Sequence, residues 1–325
     1  MTIQVFRTPE IDTAVWEMIS KGYQICFNVN KTPDALKESF SHSITGYSIH
    51  AIKFDDNNQL MGHMYYQPRP YILNGEKVTC AIGGGIFVMP ECRNDAFMFN
   101  DLTKVLDKEC RKLGWIALMG VPNKNAFKYS VKINKRKYLG DLPYYLLPVR
   151  GASILKKKLP LINILSKGYS YINAYGNSLF TSLWNSKEKK KPLHLDVSDE
   201  FLNIRFDWTL YKLITKNNMR AIYRIYDEQG IKTAYLLHFE EGGYRSSKSL
   251  AFAVTSILKN ENVDAIMYVG TMNFPQTILT KVPKRFVPQQ LPLCIGIFDK
   301  KNTQLNETLS DFRNIDFGLI NFDVR

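Results

Sequence analysis

Residues 85–114 read GIFVMPECRNDAFMFNDLTKVLDKECRKLG, and the change of period within them decides the fold class. The first five residues are a short apolar run that follows Gly83 and Gly84, which is a strand signal with a bulge or a close backbone approach at the glycines. Pro90 ends the run. Met98, Phe99, Leu102, Val105, Leu106, Cys110 and Leu113 then recur at three- and four-residue spacing, as on one face of a helix, and Gly114 stops it. A strand passing through a short polar loop into a helix also makes an anion site, because the first-turn N–H groups lack partners and the helix dipole favours negative charge. Arg93 adds a bidentate donor there, while Asn94 or Asp95 can cap the helix.

Working outward, residues 3–6 read as a short strand and residues 9–21 and 32–42 as helices, with Thr32 as N-cap and Pro33 in the first turn. Residues 48–68 form a hairpin about DDNNQ, and residues 71–79 turn at Asn74-Gly75. Downstream come the strand WIALMGV (115–121), a short helix over 126–133 and the closing run YLGDLPYYLLPV (138–149). The second half repeats the order. FDWTLYKLI (206–214) reads as a helix, residues 221–239 as a hairpin, SLAFAVTSILKN (249–260) as an amphipathic helix, and residues 263–270 and 291–298 as strands. This predicts an α/β protein with a mostly antiparallel mixed sheet flanked by helices in each half.

Three landmarks carry the repeat: Gly120 pairs with Gly270, Pro143 with Pro292 and Leu102 with Leu250, at nearly constant offset. The hairpins are offset by more (Ala51 to Ala221), so the first copy carries extra residues around 70–77. The expected organisation is a domain at 1–150, a basic linker at 151–195 and a diverged second copy at 196–325.

Composition narrows the partners. The net charge is +13, and between Arg150 and Lys191 nine basic residues face Glu188 alone, so +8 of it sits at mid-chain. Such a balance favours anionic partners. The stretch lacks further arginines and any recognition motif, which disfavours nucleic acid. Its lysines flank apolar and aromatic residues, so residues 154–191 fit an anionic membrane surface, or a linker that packs Leu159, Ile162, Leu165 and Leu179 inward with its lysines in water. None of the five cysteines forms a CxxC pair, no zinc or iron–sulfur site is expected, and no secretory signal or membrane span is evident. The expected setting is cytoplasmic, with peripheral attachment at the inner membrane face.

The quoted stretch resembles the GNAT superfamily of CoA-dependent N-acyltransferases, with Pro90, Arg93 and the small Ala96 matching its strand, V-x-P-x-x-R loop and helix. Glu91 stands for the usual Gln or Arg, and Asn94 for the first loop glycine. VPNKNAFKYSVKINKRKYLGDLPYYLLPV (121–149) resembles that family's N-x-x-A-x-x-x-Tyr segment through Asn123 and Ala126, with Tyr129 one position early. Its GDLPYY ending is similar to tandem proteins encoded with bacterial surface-polysaccharide genes. The resemblance implies two GNAT-like α/β domains, an acyl-CoA co-substrate such as acetyl-CoA, no metal, and a small-molecule amine acceptor such as an amino sugar.

It also implies the site. Backbone N–H groups of Phe87, Val88 and Met89 polarise the acyl oxygen, and Arg93, Asn94, Asp95, Ala96 and Phe97, with Asn123 and Ala126, hold the cofactor. Tyr129 protonates the leaving thiolate, and Glu91 or Asp141 takes the amine proton, with Glu76 also conceivable. His63 is read as a structural histidine, and Phe206, Trp208 and Tyr211 as packing. In the second half Arg245 and Lys248 near a helix N-terminus offer a phosphate site, although the loop pattern is missing and an inactive copy is expected. Two rival readings are a non-catalytic binding protein and an aminoacyl transferase of the cell-wall peptide-bridge type, fed by aminoacyl-tRNA.

Overall fold

The structure, a computed structural model, describes residues 2–95, 97–155 and 160–322. In chain order its strands and helices are β1 (Thr2–Arg7), α1 (Thr13–Phe27), α2 (Pro33–Ser41), β2 (Ile49–Phe54), β3 (Leu60–Leu73), β4 (Glu76–Val88), α3 (Met98–Lys112), β5 (Ala117–Gly120), α4 (Lys124–Lys132) and β6 (Lys137–Asp141). Then follow β7 (Tyr144–Pro148), α5 (Gly151–Ile154), α6 (Pro160–Leu183), β8 (Leu193–Leu195), α7 (Asp199–Arg205), β9 (Lys212–Lys216) and β10 (Met219–Glu228). The chain closes with β11 (Ile231–Glu241), α8 (Ser247–Asn260), β12 (Ala265–Val269), β13 (Thr280–Lys281), β14 (Pro292–Ile297), α9 (Thr303–Leu309) and α10 (Leu319–Phe322).

Local chemistry sets the boundaries. Asp12 caps α1 by accepting the Val15 N–H at 2.8 Å, and Asn28 ends it in the left-handed region at φ 55°. That first helix starts four residues later than the sequence pattern implies, after a tight turn at Thr8–Glu10, because Asp12 is the residue placed to cap. Thr32 caps α2 as expected, through the Ala35 N–H. The 206–214 helix does not form. Asp207 instead caps a turn by accepting from Thr209 N–H, and Lys212 onward pairs with β10. Ladder bonds outweigh the weak helical period of that run, and Phe206 and Tyr211 pack ring to ring at 4.7 Å.

The two sheets share one order. In the first, β1-β2-β3-β4-β5-β14-β6 lie side by side and β8 adds to β3; in the second, the order is β9-β10-β11-β12-β7-β13. Each is antiparallel except for one parallel pair bridged by a long helix: β4 with β5 through α3, and β11 with β12 through α8. Two mixed, mostly antiparallel sheets flanked by helices are therefore present, as the pattern predicts.

The closing strands are exchanged. Ala117 of β5 faces Ile297 of β14, while Ala265 of β12 faces Pro148 of β7, at equivalent positions of the two repeats. The compact units accordingly interleave along the chain. One takes the residues up to Asp141 with Pro192–Arg205 and Leu291–Ile315; the other takes Leu142–Lys191, Phe206–Gln290 and the chain from Asp316 on.

In the first unit the α3 stripe of Met98, Leu102, Leu106 and Cys110 is fully buried against one face of the sheet. Burial of each such leucine contributes about 1.5–3 kcal/mol. On the other face Trp16, Ile19, Leu36 and Phe40 of α1 and α2 cover Phe87. In the second unit α8 fills the same role with Leu250, Val254 and Ile257.

The 24-residue α6 departs from the linker reading: Leu165 and Leu179 face water rather than the protein. Ile162 does turn inward, toward Gly151, and Ala174 enters the apolar core, but the rest of the inward face is largely polar and held by hydrogen bonds, such as Ser170 Oγ to the Pro148 carbonyl at 2.7 Å. Leu159 and Lys156–Lys158 lie outside the described residues.

Candidate functional site

The glycine run acts where β4 bends. Opposite it the register slips between His63 and Tyr65, so β4 carries a bulge, and Gly85 sits at φ 53°. A Cβ on Gly85 would collide with the Tyr23 hydroxyl and the Tyr65 ring, so only glycine fits. On its other edge β4 pairs with β5 only from Cys80–Ala117 to Ile82–Met119. β5 ends one residue later, at Gly120, whereas β4 runs on to Val88.

Below the bulge the ladder to β3 is regular, which orients the three backbone groups. The Met89 N–H donates to the Met61 carbonyl at 2.9 Å. Antiparallel pairing alternates, so Phe87 opposite His63 is likewise turned to β3, and Val88 turns its N–H away, toward the side where β5 has ended. Phe87 itself is buried against Tyr23 and Phe27, and Met89 packs into the same core.

The loop after β4 is a tight turn at Pro90–Cys92. Glu91 and Asn94 are exposed on it, and the exposed Arg93 turns its Nε back to the Val88 carbonyl at 3.3 Å. Asp95 occupies the start of α3: one carboxylate oxygen accepts the Phe97 N–H at 3.0 Å, the other the Lys53 ammonium at 2.9 Å. The Lys53 bond and the Phe97 N–H hold the Asp95 carboxyl below its usual range. Lys53 is nearly buried on β2. Phe97 is exposed, and Ala96 lies outside the described residues.

On α4, Asn123 is the N-cap and accepts the Ala126 N–H at 2.9 Å. The Tyr129 ring lies 5.8 Å from Phe99, so α4 brings this half-exposed phenol beside the first turn of α3. Glu91 and the Val88 backbone thus lie on the segment that joins β4 to α3, and Tyr129 lies beside the first turn of α3. Asp141 is drawn elsewhere, to the edge of the sheet, where it faces Pro292 and bonds the Tyr138 hydroxyl. Burial, and then Asp141, push that phenol up to about 12. Glu76 is exposed at the start of β4.

His63 is structural, as read, and has a partner that the sequence pattern did not reveal. Its Nε2 meets His50 Nδ1 at 3.0 Å, and His50 Nε2 meets Thr8 Oγ1 at 3.0 Å, all fully buried. Burial pushes His63 down to about 3 and, with the neighbouring ring, lowers His50 well below its ordinary value, so both are neutral. Lys53 was also missed; its only sequence signal is a lysine inside the apolar strand IHAIKF.

No protein-family model matches the chain, and no curated protein sequence matches it. Solved structures do. A GCN5-related N-acetyltransferase from Anabaena variabilis superposes at TM-score 0.56 and 10% identity over 92% of this chain and 73% of its own. One from Kribbella flavida gives 0.56 and 9% over 91% and 71%. Eis1 from Mycobacterium abscessus gives 0.51 and 10% over 92% and 74%. The chain has a GNAT-like fold.

In the second GNAT-like unit the N-terminus of α8 is closed by its own chain. Arg245 is buried between Glu188 at 2.7 Å and Asp316 at 2.8 Å, and it also donates to Tyr268 and the Thr271 carbonyl. Lys248 pairs with Glu241 at 2.5 Å. The first-turn donors of α8 are taken as well: Ser247 N–H by the Ser186 carbonyl, Lys248 N–H by Asn185 and Ser249 N–H by Ser246. The phosphate role sketched for Arg245 and Lys248 is therefore replaced by an internal one. Among the described residues, no group of three or more His, Cys, Asp or Glu is arranged to hold a metal ion.

Proposed function

We propose that the first unit transfers an acyl group, acetyl in the simplest case, from acyl-CoA to the amine of a small molecule, with an amino sugar as the acceptor class. The observation that carries this reading is that β5 ends at Gly120 while β4 runs on to Val88, whose N–H is turned away from β3, and that β4 then leads through the Pro90–Cys92 turn to α3. When bound, an acyl-CoA supplies a thioester carbonyl open to attack by an amine. The Val88 N–H then donates to the acyl oxygen as charge develops on it. Glu91, on the loop itself, accepts the amine proton, and Tyr129 beside α3 donates a proton to the departing sulfur. Lys53 and Arg93 are the cations that meet the pyrophosphate, with Asn123 and Ala126 setting the position of α4. Five free thiols, three of them buried, support a reducing cytoplasmic setting.

A second reading has its own observation. Asp95 already fills the anion position at α3, which favours a non-catalytic binding protein. Calorimetry and amide exchange with acetyl-CoA separate the two. The first reading expects heat of binding and protection of the 91–97 amides; no protection at millimolar acetyl-CoA overturns it. If only Asp95→Asn, which keeps the Phe97 acceptor but removes the charge, restores binding, the second reading stands for the native chain.

A further inference from the structure

The amphipathicity of α6 is inverted. At about 100° per residue, its exposed apolar positions fall in one arc of roughly 160° and span about 33 Å. Leu161, Leu165, Ile172, Leu179 and Leu183 mark that arc, with Ile172 76%, Leu179 75% and Leu183 90% exposed. Trp184 extends it past the end of the helix and is also exposed. The opposite face is largely polar, with Ala174 alone fully buried in the apolar core, and serves as the attachment to the second unit. Asn163 accepts the Ala152 N–H at 2.8 Å, Ser166 accepts the Gly151 N–H at 2.8 Å, and the Tyr171 hydroxyl donates to the Leu258 carbonyl at 2.8 Å. Water is a poor solvent for a contiguous apolar strip of this size, which marks an interaction surface.

Charge selects the occupant. Lys167 is the single charged side chain within the helix, and Lys187, Lys189 and Lys190 follow its C-terminal end, all exposed. The one acid within residues 150–191, Glu188, is turned inward onto Arg245, and the neighbouring Glu241 is paired with Lys248 and Asn185. A second copy of this surface would bring exposed lysines against exposed lysines. No described helix is long and apolar enough to cross a membrane. We propose that α6 lies in the plane of an anionic bilayer, its apolar arc in the acyl boundary and its lysines on the headgroup phosphates. This attachment is independent of the acyl-transfer reading and would survive its failure.

The test uses the full chain with phosphatidylglycerol–phosphatidylcholine vesicles and with phosphatidylcholine alone. Co-sedimentation should require the anionic lipid and weaken with salt, and Trp184 emission should shift to the blue, a shift absent in Trp184→Phe. Replacing Lys187, Lys189 and Lys190 together with glutamine should lower partitioning about a hundredfold at low salt. Ile172→Asp with Leu179→Asp should abolish it while leaving the far-UV and near-UV circular dichroism unchanged, since both side chains are exposed. No binding at millimolar anionic lipid, or binding unchanged in these variants, overturns the proposal. So does concentration-dependent dimerisation that the aspartate variant removes in the absence of vesicle binding, which would assign the surface to a second copy.

Discussion

Acidification should unfold the first unit well before its carboxylates titrate, because of the buried histidine pair. His50 and His63 are neutral in the native state, with His63 held down to about 3, whereas an unfolded histidine titrates near 6.5. Below that value the unfolded chain binds protons that the folded chain refuses, so stability falls as pH falls from 6.5 toward 3. At pH 5.5 the linkage costs about 1.4 kcal/mol for His63 relative to pH 8, and His50 adds to it in the same direction. That is an appreciable share of the 5–15 kcal/mol typical of a domain. Urea titrations at pH 7.5, 6.5 and 5.5 measure it, and Trp16, whose ring lies edge-on to His50 at 5.6 Å, is a built-in fluorescence reporter. His63→Gln should be less stable at every pH but should lose about half of the pH slope. Equal slopes in the variant and the parent would refute the neutral-pair argument.

Two further outcomes follow from single contacts. Gly85→Ala should destabilise by about 2–4 kcal/mol, since the left-handed φ and the collision with Tyr23 and Tyr65 act together; thermal melts read it, and a near-neutral result would mean the bulge can relax. Arg245→Met should cost about 3–5 kcal/mol by leaving the buried Glu188 and the partly buried Asp316 without their cation, and a loss under 1 kcal/mol in urea titrations would contradict that pairing.

The layer order was legible because period is a local property. The glycine run, the 98–113 stripe and the constant offset of the landmarks each follow from neighbouring side chains. What escaped was every feature set by distant pairing. Nothing local in YYLLP or PLCIGI says which sheet it joins, since either repeat presents the same edge to it. Arg245 reads as a surface cation until Asp316, seventy-one residues later, closes on it. The α6 face was misjudged for a different reason: serine and asparagine look like a solvent side, yet here they are the adhesive side. In the candidate site the loop and α4 could be located from their motifs. The Lys53–Asp95 contact could not, as its members are forty-two residues apart.

The exchanged closing strands bear on how the gene can change. β14 completes the first sheet and β7 the second, so a truncation after residue 150 removes the strand that should lie beside β5. Neither repeat can then be discarded, even when only one performs chemistry. A second copy whose helix N-terminus is closed by its own chain is retained because its last strand belongs to its sibling. Selection on the first repeat's sheet thus preserves residues encoded at the far end of the second.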